Sequence, residues 1–291
     1  MHFKRKENIM NRRQLLKSSA GLGALTVIGT TGLLTACAKS TKGIDNIGIQ
    51  LYTIRSMMEA DIEGSLAQVA DFGYKEVEFF SYYGRSASNV KSMLDQNGLH
   101  SPSIHVDLHQ LEGDNLFKEI EFATTMGQKY ITLAWLGEEN RKSMDQYKSH
   151  ADVFQRAGEE CNKAGLKFAY HNHEFEFFDF DGVRPYDMLL EQISQDIMLM
   201  EMDFFWMAVA GEEPHEYFTK YPGRFPMCHI KDRSINGDMA YVGEGVLDFN
   251  GILNMATEAG LKHFFVEHDT PADELIMMKT SFQNTLKLEL G

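Results

Sequence analysis

The sequence predicts an α/β protein in which eight strand–helix units close into a (β/α)8 TIM barrel, a single domain after an N-terminal signal segment. From Ile44 onward, short apolar runs alternate with amphipathic helical stretches, a pattern typical of parallel βα units. Several helical stretches end at a glycine, as at Gly73 and Gly98, a residue that helix C-termini favour. Eight such units in about 250 residues match the size of one barrel.

The predicted strands and helices alternate along the whole of this region. The strands are apolar runs at residues 47–52, 74–80, 103–106, 130–135, 167–173, 197–204, 225–231 and 264–267. The helices have apolar residues at helical spacing and lie at residues 62–71, 90–96, 116–125, 143–163, 186–193 and 251–258. A doubly wound sheet is the competing architecture, but residues 49–53 contain no glycine-rich phosphate loop after the first strand. The pattern therefore favours a barrel over residues 47–291.

The N-terminal segment, residues 1–37, has the pattern of an export signal. Arg12 and Arg13 precede an apolar, glycine-rich run and a small-residue cleavage site that ends at Cys37. The run is too short for a typical membrane-spanning helix. The paired arginines resemble a twin-arginine signal, and the residues ending at Cys37 resemble a bacterial lipobox, in which the cysteine is acylated. We therefore expect a periplasmic protein of the bacterial cell envelope, lipid-anchored at Cys37 through a tether at 38–46, with an uncleaved amphipathic start as the alternative.

Charge and cysteine content exclude further classes of protein. The chain has 28 Lys and Arg against 42 Asp and Glu, a net charge of −14, and residues 1–37 contribute six basic and one acidic residue. The remainder therefore carries −14 − 5 = −19, which repels phosphate backbones and excludes nucleic-acid partners. Cys161 and Cys228 lie inside predicted elements without a near cysteine neighbour. We expect them to be buried small hydrophobes rather than disulfide partners or zinc ligands.

Ionisable side chains collect where the predicted strands stop, and in such barrels the carboxyl ends of strands carry the chemistry. They are Glu78, His105, His171, His173, Asp203, His229, Lys231 and Glu267. Because side chains two residues apart share a strand face, His171 and His173 should enter the barrel together while Asn172 points away. Imidazoles and carboxylates without thiolates suit Mn²⁺, Fe²⁺, Co²⁺ or Zn²⁺. A salt-bridge cluster without a metal ion is the alternative.

The segments around these residues resemble the xylose isomerase-like sugar isomerase/epimerase superfamily. The resemblance covers essentially all of residues 44–291 and is carried by residues 77–79, 104–106, 170–177, 201–206, 228–232, 242–249 and 265–268. The fifth strand, Tyr170-His171-Asn172-His173, is similar to that of the inosose dehydratase branch.

The resemblance implies one divalent metal ion (Mn, Co, Zn or Mg) held on strands five to eight. Asp203, His229 and Glu267 stand at matching ligand positions, and the glutamate that relatives carry on strand five falls on His171. Glu176 is close enough in sequence to substitute for it as ligand or base.

The resemblance also implies a sugar isomerase/epimerase type of enzyme that removes a proton next to a carbonyl group. Because His171 replaces one carboxylate, a symmetric pair of bases is lost, so isomerisation or β-elimination is favoured over two-base epimerisation. Glu267 would act as base besides binding the metal, Lys231 would neutralise an oxyanion, and His173 would shuttle protons. Glu176 is the further catalytic candidate.

Other residues are predicted to contact the substrate. Glu176, Glu78 and His105 would bind hydroxyl groups, and Trp135, Trp206 and Phe205 offer aromatic faces to a sugar ring, although core packing explains each aromatic equally well. Residues 242–249 are predicted to form a structural turn, from which Glu244 could face the site.

The expected partner is a free or glycosidic sugar. Formation of a homo-oligomer is left open by the sequence. An envelope enzyme rarely meets phosphorylated intermediates, and the sequence shows neither a glycine-rich nor an arginine-paired phosphate cradle. An apurinic endonuclease shares this type of barrel, but it needs a richer zinc ligand set and a cationic face, against which the charge of −19 argues. A non-catalytic carbohydrate-binding envelope lipoprotein is the alternative function.

Overall fold

Eight parallel strands form a closed barrel in chain order, in which each strand pairs with the next and the last returns to the first. The computed structural model describes residues 42–291, so the predicted export signal with Cys37 and the first part of the tether lie outside the described residues. The strands are β1 (Ile47–Gln50), β2 (Glu76–Phe79), β3 (His100–Val106), β4 (Tyr130–Leu133), β5 (Lys167–His171), β6 (Met198–Asp203), β7 (Met227–Ile230) and β8 (His263–Val266). The predicted TIM barrel and all eight of its strands are confirmed.

Helices follow the strands and surround the barrel. They are α1 (Arg55–Ala60), α2 (Ile62–Phe72), α3 (Ala87–Asn97), α4 (Gly113–Met126), α5 (Met144–Lys163), α6 (Pro185–Gln192), α7 (Phe204–Ala210), α8 (Pro214–Lys220), α9 (Phe249–Leu253), α10 (Ala256–Ala259) and α11 (Glu274–Thr285). The helix predicted at 251–258 is in fact two short helices, α9 and α10. The predicted glycine stops at Gly73 and Gly98 are confirmed, since both residues adopt the left-handed conformation at a helix end.

The two faces of the strands carry different side chains. Outward-facing residues such as Ile49, Ile104 and Met200 join the buried apolar core between strands and helices. Inside the barrel, Tyr130, Ala169, Met227 and Phe265 form a small separate apolar group. Side chains nearer the carboxyl ends are mainly polar, and many of them are buried. The site residues therefore project from a rigid ring of strands.

Elements outside the barrel complete the described part of the chain. Lys42–Gly43 pairs antiparallel with Glu289–Leu290, which joins the start of the described chain to its end. Cys161 and Cys228 are free and buried, as predicted. Among residues 42–291, no helix combines the length and the apolar composition that crossing a membrane requires.

Candidate active site

Four buried side chains from the ends of β5 to β8 converge on one point. His171, Asp203, His229 and Glu267, which we call the outer cluster, offer ligand atoms that all lie within 4.8 Å of one another. His171 Nε2 is 3.4 Å from Asp203 Oδ2, and His229 Nδ1 is 2.8 Å from Glu267 Oε2. The structure thus brings together the four side chains predicted as metal ligands.

The outer cluster contains buried polar atoms that lack a partner. His171 Nε2 and Asp203 Oδ2 face each other without a hydrogen bond. The other polar atom of each side chain is held in place, because His171 Nδ1 bonds to the Ala134 carbonyl at 3.0 Å and Asp203 Oδ1 accepts the Trp206 backbone N–H at 3.0 Å. Unpartnered buried polar atoms are costly. A divalent cation would satisfy both atoms, so these residues fit a metal ion.

The charges of the site are set by close pairing. Burial opposes the ionised form of Glu267, but the neighbouring Lys231 and His229 outweigh it and hold the pKa of Glu267 well below its usual range. Burial likewise opposes a charged Lys231, yet Glu267 and Asp203 raise the pKa of that lysine. At neutral pH the site therefore contains ionised carboxylates and a charged ammonium group.

Lys231 lies beside the outer cluster, with 1% of its surface exposed. Its Nζ donates to Glu267 Oε2 at 3.0 Å and to Asp269 Oδ1 at 2.5 Å, and it lies 3.5 Å from Asp203 Oδ2. The distance from Nζ to the centroid of the Trp206 ring is 5.1 Å. The ammonium group is thereby fixed next to the candidate ligands.

A cavity of about 410 Å³ opens onto the outer cluster. Among the predicted residues it is lined by His105, Trp135, His171, His173, Lys231 and Glu267. Tyr52 and Phe80 add further aromatic surface, and Asp107, Gln110 and Asp269 add polar groups. The Trp135 side chain is 45% exposed, so an aromatic face remains available to a ligand. The cavity has the mixed aromatic and polar lining that suits a sugar.

His173 is a neutral base candidate on the cavity wall. Its ring stacks on Phe175 with centroids 5.2 Å apart, and its Nδ1 is buried without a hydrogen-bond partner. Burial, followed by the nearby His171 and Lys231, lowers the pKa of His173 well below its usual value. The imidazole is therefore neutral at pH 7.

The structure corrects the predicted role of Glu78. Its side chain is fully buried and does not line the cavity, and its Oε2 accepts hydrogen bonds from Gln50 Nε2 at 2.8 Å and from His229 Nε2 at 2.9 Å. A substrate hydroxyl cannot reach this carboxylate. Glu78 instead supports the ring of His229 from behind.

The structure also corrects the predicted roles of Glu176. Its oxygens accept the Tyr170 hydroxyl at 2.6 Å and the His173 backbone N–H at 2.8 Å, and the side chain is fully buried away from the cavity. His171, not Glu176, occupies the strand-five position of the outer cluster. Glu176 therefore braces the turn after β5 rather than meeting a metal or a substrate.

Two aromatic side chains predicted to contact the substrate, and Glu244 of the loop at 242–249, lie away from the cavity. Trp206 and Phe205 do not line the cavity; the Trp206 ring lies 5.1 Å from the His173 ring and packs behind it. The Asp232 carboxylate accepts the backbone N–H groups of Gly243 and Gly245 at 2.9 and 3.0 Å. This confirms the structural turn predicted at 242–249, and Glu244 in that turn is exposed outside the cavity.

Sequence reasoning missed two buried or cavity-lining carboxylates. Glu201 lies beneath Asp203 in the barrel, and Asp269 lines the cavity beside Lys231. Glu201 stands two residues before the predicted ligand Asp203 and shares its strand face. Asp269 stands two residues after Glu267 and continues the same alternation beyond the strand. The parity rule that paired His171 with His173 would have found both.

Comparisons with known proteins agree with this architecture. A family model described as xylose isomerase-like TIM barrel matches residues 66–285. The inosose dehydratases of Lacticaseibacillus casei and Clostridium beijerinckii are 22% and 21% identical over 239 and 240 residues, which cover 69% of this chain and 80% and 79% of those proteins.

Solved structures share the same barrel. A sugar phosphate isomerase/epimerase from Parabacteroides distasonis has 25% identity and a TM-score of 0.71, with 87% of this chain and 99% of that chain covered. The structure of IOLI protein with a binding zinc atom has 16% identity and a TM-score of 0.67, with 82% and 96% covered. Because the family match spans well over half of its length, this chain belongs to the xylose isomerase-like TIM barrel family.

Proposed function

We propose that the protein is a divalent-metal-dependent enzyme of the sugar isomerase/epimerase type. It would remove a proton next to the carbonyl group of a sugar or keto-sugar, with isomerisation or β-elimination as the outcome. The outer cluster carries this proposal, because its four buried ligand atoms lie close together beside a cavity of about 410 Å³, whose wall includes His171, Glu267 and the charged Lys231. The similarity of the chain to inosose dehydratases and to a sugar phosphate isomerase/epimerase supports the same class of chemistry.

We assign a separate chemical role to each residue of the site. A divalent cation held by the outer cluster would polarise the substrate carbonyl. The Lys231 ammonium, buried on the cavity wall, would stabilise the negative oxygen that develops after proton removal. Glu267 is ionised and lines the cavity, so we assign it the removal of the proton from carbon. Neutral His173 would then carry the proton onward.

The fate of that proton decides between the two outcomes. Its delivery to the neighbouring carbon gives isomerisation, whereas its delivery to the oxygen of a leaving group that departs from the β-carbon gives elimination. Two-base epimerisation is disfavoured, because His171 stands where a second carboxylate would be needed and Glu176 is directed away from the cavity.

We propose that the substrate lacks a phosphate group. Among the described residues on the cavity, Asp107, Glu267 and Asp269 are acidic, and Lys231 is already paired with two of them. A phosphate dianion would meet three acidic side chains there, and the one lysine among these residues is not free to pair with it. The sugar phosphate in the name of the Parabacteroides relative is therefore not carried over to this chain.

Deuterium exchange tests the proposed reaction. Metal-loaded protein is incubated with a panel of sugars and keto-sugars in D₂O, and exchange and products are read by NMR. We expect exchange at the carbon next to the carbonyl, lost with a chelator and reduced about 10²-fold or more in Glu267→Gln. Undiminished exchange in Glu267→Gln would reject Glu267 as the base.

A matched control is Glu76→Gln, since Glu76 lies on the same barrel but pairs with His263 near the amino ends of the strands, and it should exchange at the wild-type rate. Sugar binding without exchange or metal would favour the non-catalytic carbohydrate-binding lipoprotein instead.

We further propose, from the sequence of residues 1–37 alone, that the protein is anchored in the bacterial cell envelope by a lipid on Cys37. Labelled palmitate should enter the wild-type protein and not a Cys37→Ala variant. Equal labelling of the two would count against the anchor.

A further inference from the structure

A second group of four buried side chains lies one layer deeper in the barrel and shares His229 with the outer cluster. Glu78, His105, Glu201 and His229, which we call the inner cluster, offer ligand atoms within 4.8 Å of one another. His105 Nε2 lies 2.6 Å from Glu201 Oε2 and 3.2 Å from Glu78 Oε2. His229 Nε2 lies 2.9 Å from Glu78 Oε2 and 3.5 Å from Glu201 Oε1.

Like the outer cluster, the inner cluster contains buried polar atoms that have no hydrogen-bond partner. Glu201 Oε1 is buried, faces His229 Nε2 and makes no hydrogen bond. Glu78 Oε1 is also buried without a partner. Since buried carboxylate oxygens are normally satisfied, these oxygens are available to a cation or to a hydrogen-bond donor.

The ring of His229 stands between the two clusters. Its Nδ1 faces Glu267 Oε2 at 2.8 Å in the outer cluster, and its Nε2 faces Glu78 Oε2 at 2.9 Å in the inner cluster. Each ring nitrogen is therefore directed at a different set of ligands.

The buried charge around His229 is strongly negative. Glu78, Glu201, Asp203 and Glu267 are all buried, and among the described residues Lys231 is the only lysine or arginine in an ion pair with any of them. Buried carboxylates need compensating positive charge. Protons on the imidazoles or a divalent cation can supply it, and a cation would also give a partner to Glu201 Oε1.

We propose that the inner cluster is a second divalent-cation site, of the closed four-coordinate type that Zn²⁺ favours, and that His229 serves both sites through its two ring nitrogens. Two imidazoles and two carboxylates form a complete tetrahedral ligand set. With bonds of about 2.0 Å, such a set has edges of about 3.3 Å. The four imidazole–carboxylate contacts of the inner cluster, in which Glu201 uses both of its oxygens, range from 2.6 to 3.5 Å. When the second cation binds, the protons on His229 Nε2 and on His105 Nε2 leave to solvent.

A path to the inner site runs through the cavity. His105 belongs to the inner cluster and also lines the cavity, so an ion that enters the cavity meets an inner ligand directly. Once bound, the inner cation has no open position for a substrate, because four protein ligands surround it. Its effect would be to fix the ring of His229 for the outer site.

Metal stoichiometry tests the second site. Chelator-treated protein is dialysed to equilibrium against buffered Zn²⁺, and bound zinc per chain is measured by elemental analysis. We expect two zinc ions in the wild type and one in Glu201→Gln, which alters the inner cluster alone. Asp203→Asn, which alters the outer cluster alone, should also bind one, and the double variant none.

The controls keep the test independent of folding and of the proposed reaction. Glu76→Gln makes the same change outside both clusters and should bind two ions, and His105→Gln replaces Glu201→Gln if that variant fails to fold by circular dichroism. One zinc ion in both the wild type and Glu201→Gln would overturn the inner site. Loss of zinc in Glu201→Gln but not in Asp203→Asn would support the inner site and count against the outer site on which the proposed function depends.

Discussion

Glu176 is a buried carboxyl group braced between Tyr170 and the backbone of His173. Burial raises its pKa to about 7, although the hydrogen bond from Tyr170 acts in the opposite direction. The folded protein therefore holds this proton more tightly than the unfolded chain does. The stability that results is fully present below the unfolded pKa of about 4.5 and is lost as pH rises to about 7.

Replacing Glu176 by glutamine should remove this pH dependence. The amide keeps an acceptor for His173 and a group that can bond Tyr170, but it never ionises. The free energy of unfolding of Glu176→Gln, relative to wild type, should rise by up to about 3 kcal/mol between pH 4.5 and pH 8, as measured by urea unfolding. Glu174→Gln, a change at a less buried neighbour, is the control, and a relative stability that stays constant with pH would contradict the prediction.

Lys231 is the other residue whose charge the site depends on. Lys231→Met removes the ammonium group while retaining much of the side-chain volume. Deuterium exchange into the substrate should slow by about 10²- to 10³-fold, because the developing oxyanion loses its fixed positive partner. Lys163→Met, on the exposed face of α5, should have no effect, and wild-type exchange in Lys231→Met would remove this lysine from the proposed reaction.

At the scale of elements, the end of β5 is tied to the end of β6 by one side chain. Asn172, the residue after β5, is fully buried. Its Oδ1 accepts the Asp203 N–H at 3.1 Å, and its Nδ2 donates to the Asp203 carbonyl at 3.4 Å. The backbone that carries one candidate ligand is therefore positioned by a residue next to another.

The variant Asn172→Ala should weaken metal binding without removing a ligand. We expect the zinc dissociation constant of the outer cluster to rise by about 10- to 100-fold, the usual effect of losing a group that orients a ligand. Competition with a chromophoric chelator measures it. Asn162→Ala removes a comparable hydrogen bond on the surface, to the Asp196 carbonyl, and should leave the constant unchanged; an unchanged constant in Asn172→Ala as well would show that Asp203 is held by other contacts.

The same elements show what the sequence could predict. All eight strands were found because apolar runs and glycine stops are local signals. The strand predicted at 197–204 ends earlier, at Asp203, because that carboxylate caps α7 by accepting the Trp206 N–H. Helix α7 itself was missed, since its sequence FFWMAVA is apolar all round and lacks a readable helical period.

The sequence predicted which side chains point into the barrel, but not how far below the cavity each of them lies. Strand parity correctly turned His171, His229 and Lys231 inward. Residue type could not show that Glu78 lies a layer deeper than the cavity, or that Glu176 is taken up by Tyr170. Depth depends on the register between strands, which pairs Glu78 with Gln50 and becomes visible only when the barrel closes.

At the scale of the whole molecule, bound metal should contribute to stability. The candidate ligands come from strands far apart in the sequence, so the sites exist only in the folded chain. A ligand that binds only the folded state at 1,000 times its dissociation constant adds about 4 kcal/mol. Chelation should therefore lower the melting temperature of the wild type by several degrees.

Differential scanning calorimetry with and without a chelator checks this effect. Asp203→Asn, which has lost one ligand, should show a smaller shift, and Glu76→Gln should show the full shift. Equal melting temperatures for metal-loaded and chelated wild type would indicate that the barrel gains no stability from a cation.

Along β7 and just beyond it, alternate side chains have different fixed tasks, so the number of residues in this stretch cannot change freely. His229 and Lys231 point into the barrel, while Ile230 packs in the outer core and Asp232 binds the backbone of the turn at 242–249. A single residue inserted into or deleted from this stretch would exchange the two sets, turning a histidine towards the helices and an isoleucine towards the cavity. We therefore expect length changes in this region to be tolerated in the turn between Arg233 and Met239 and not within residues 227–232.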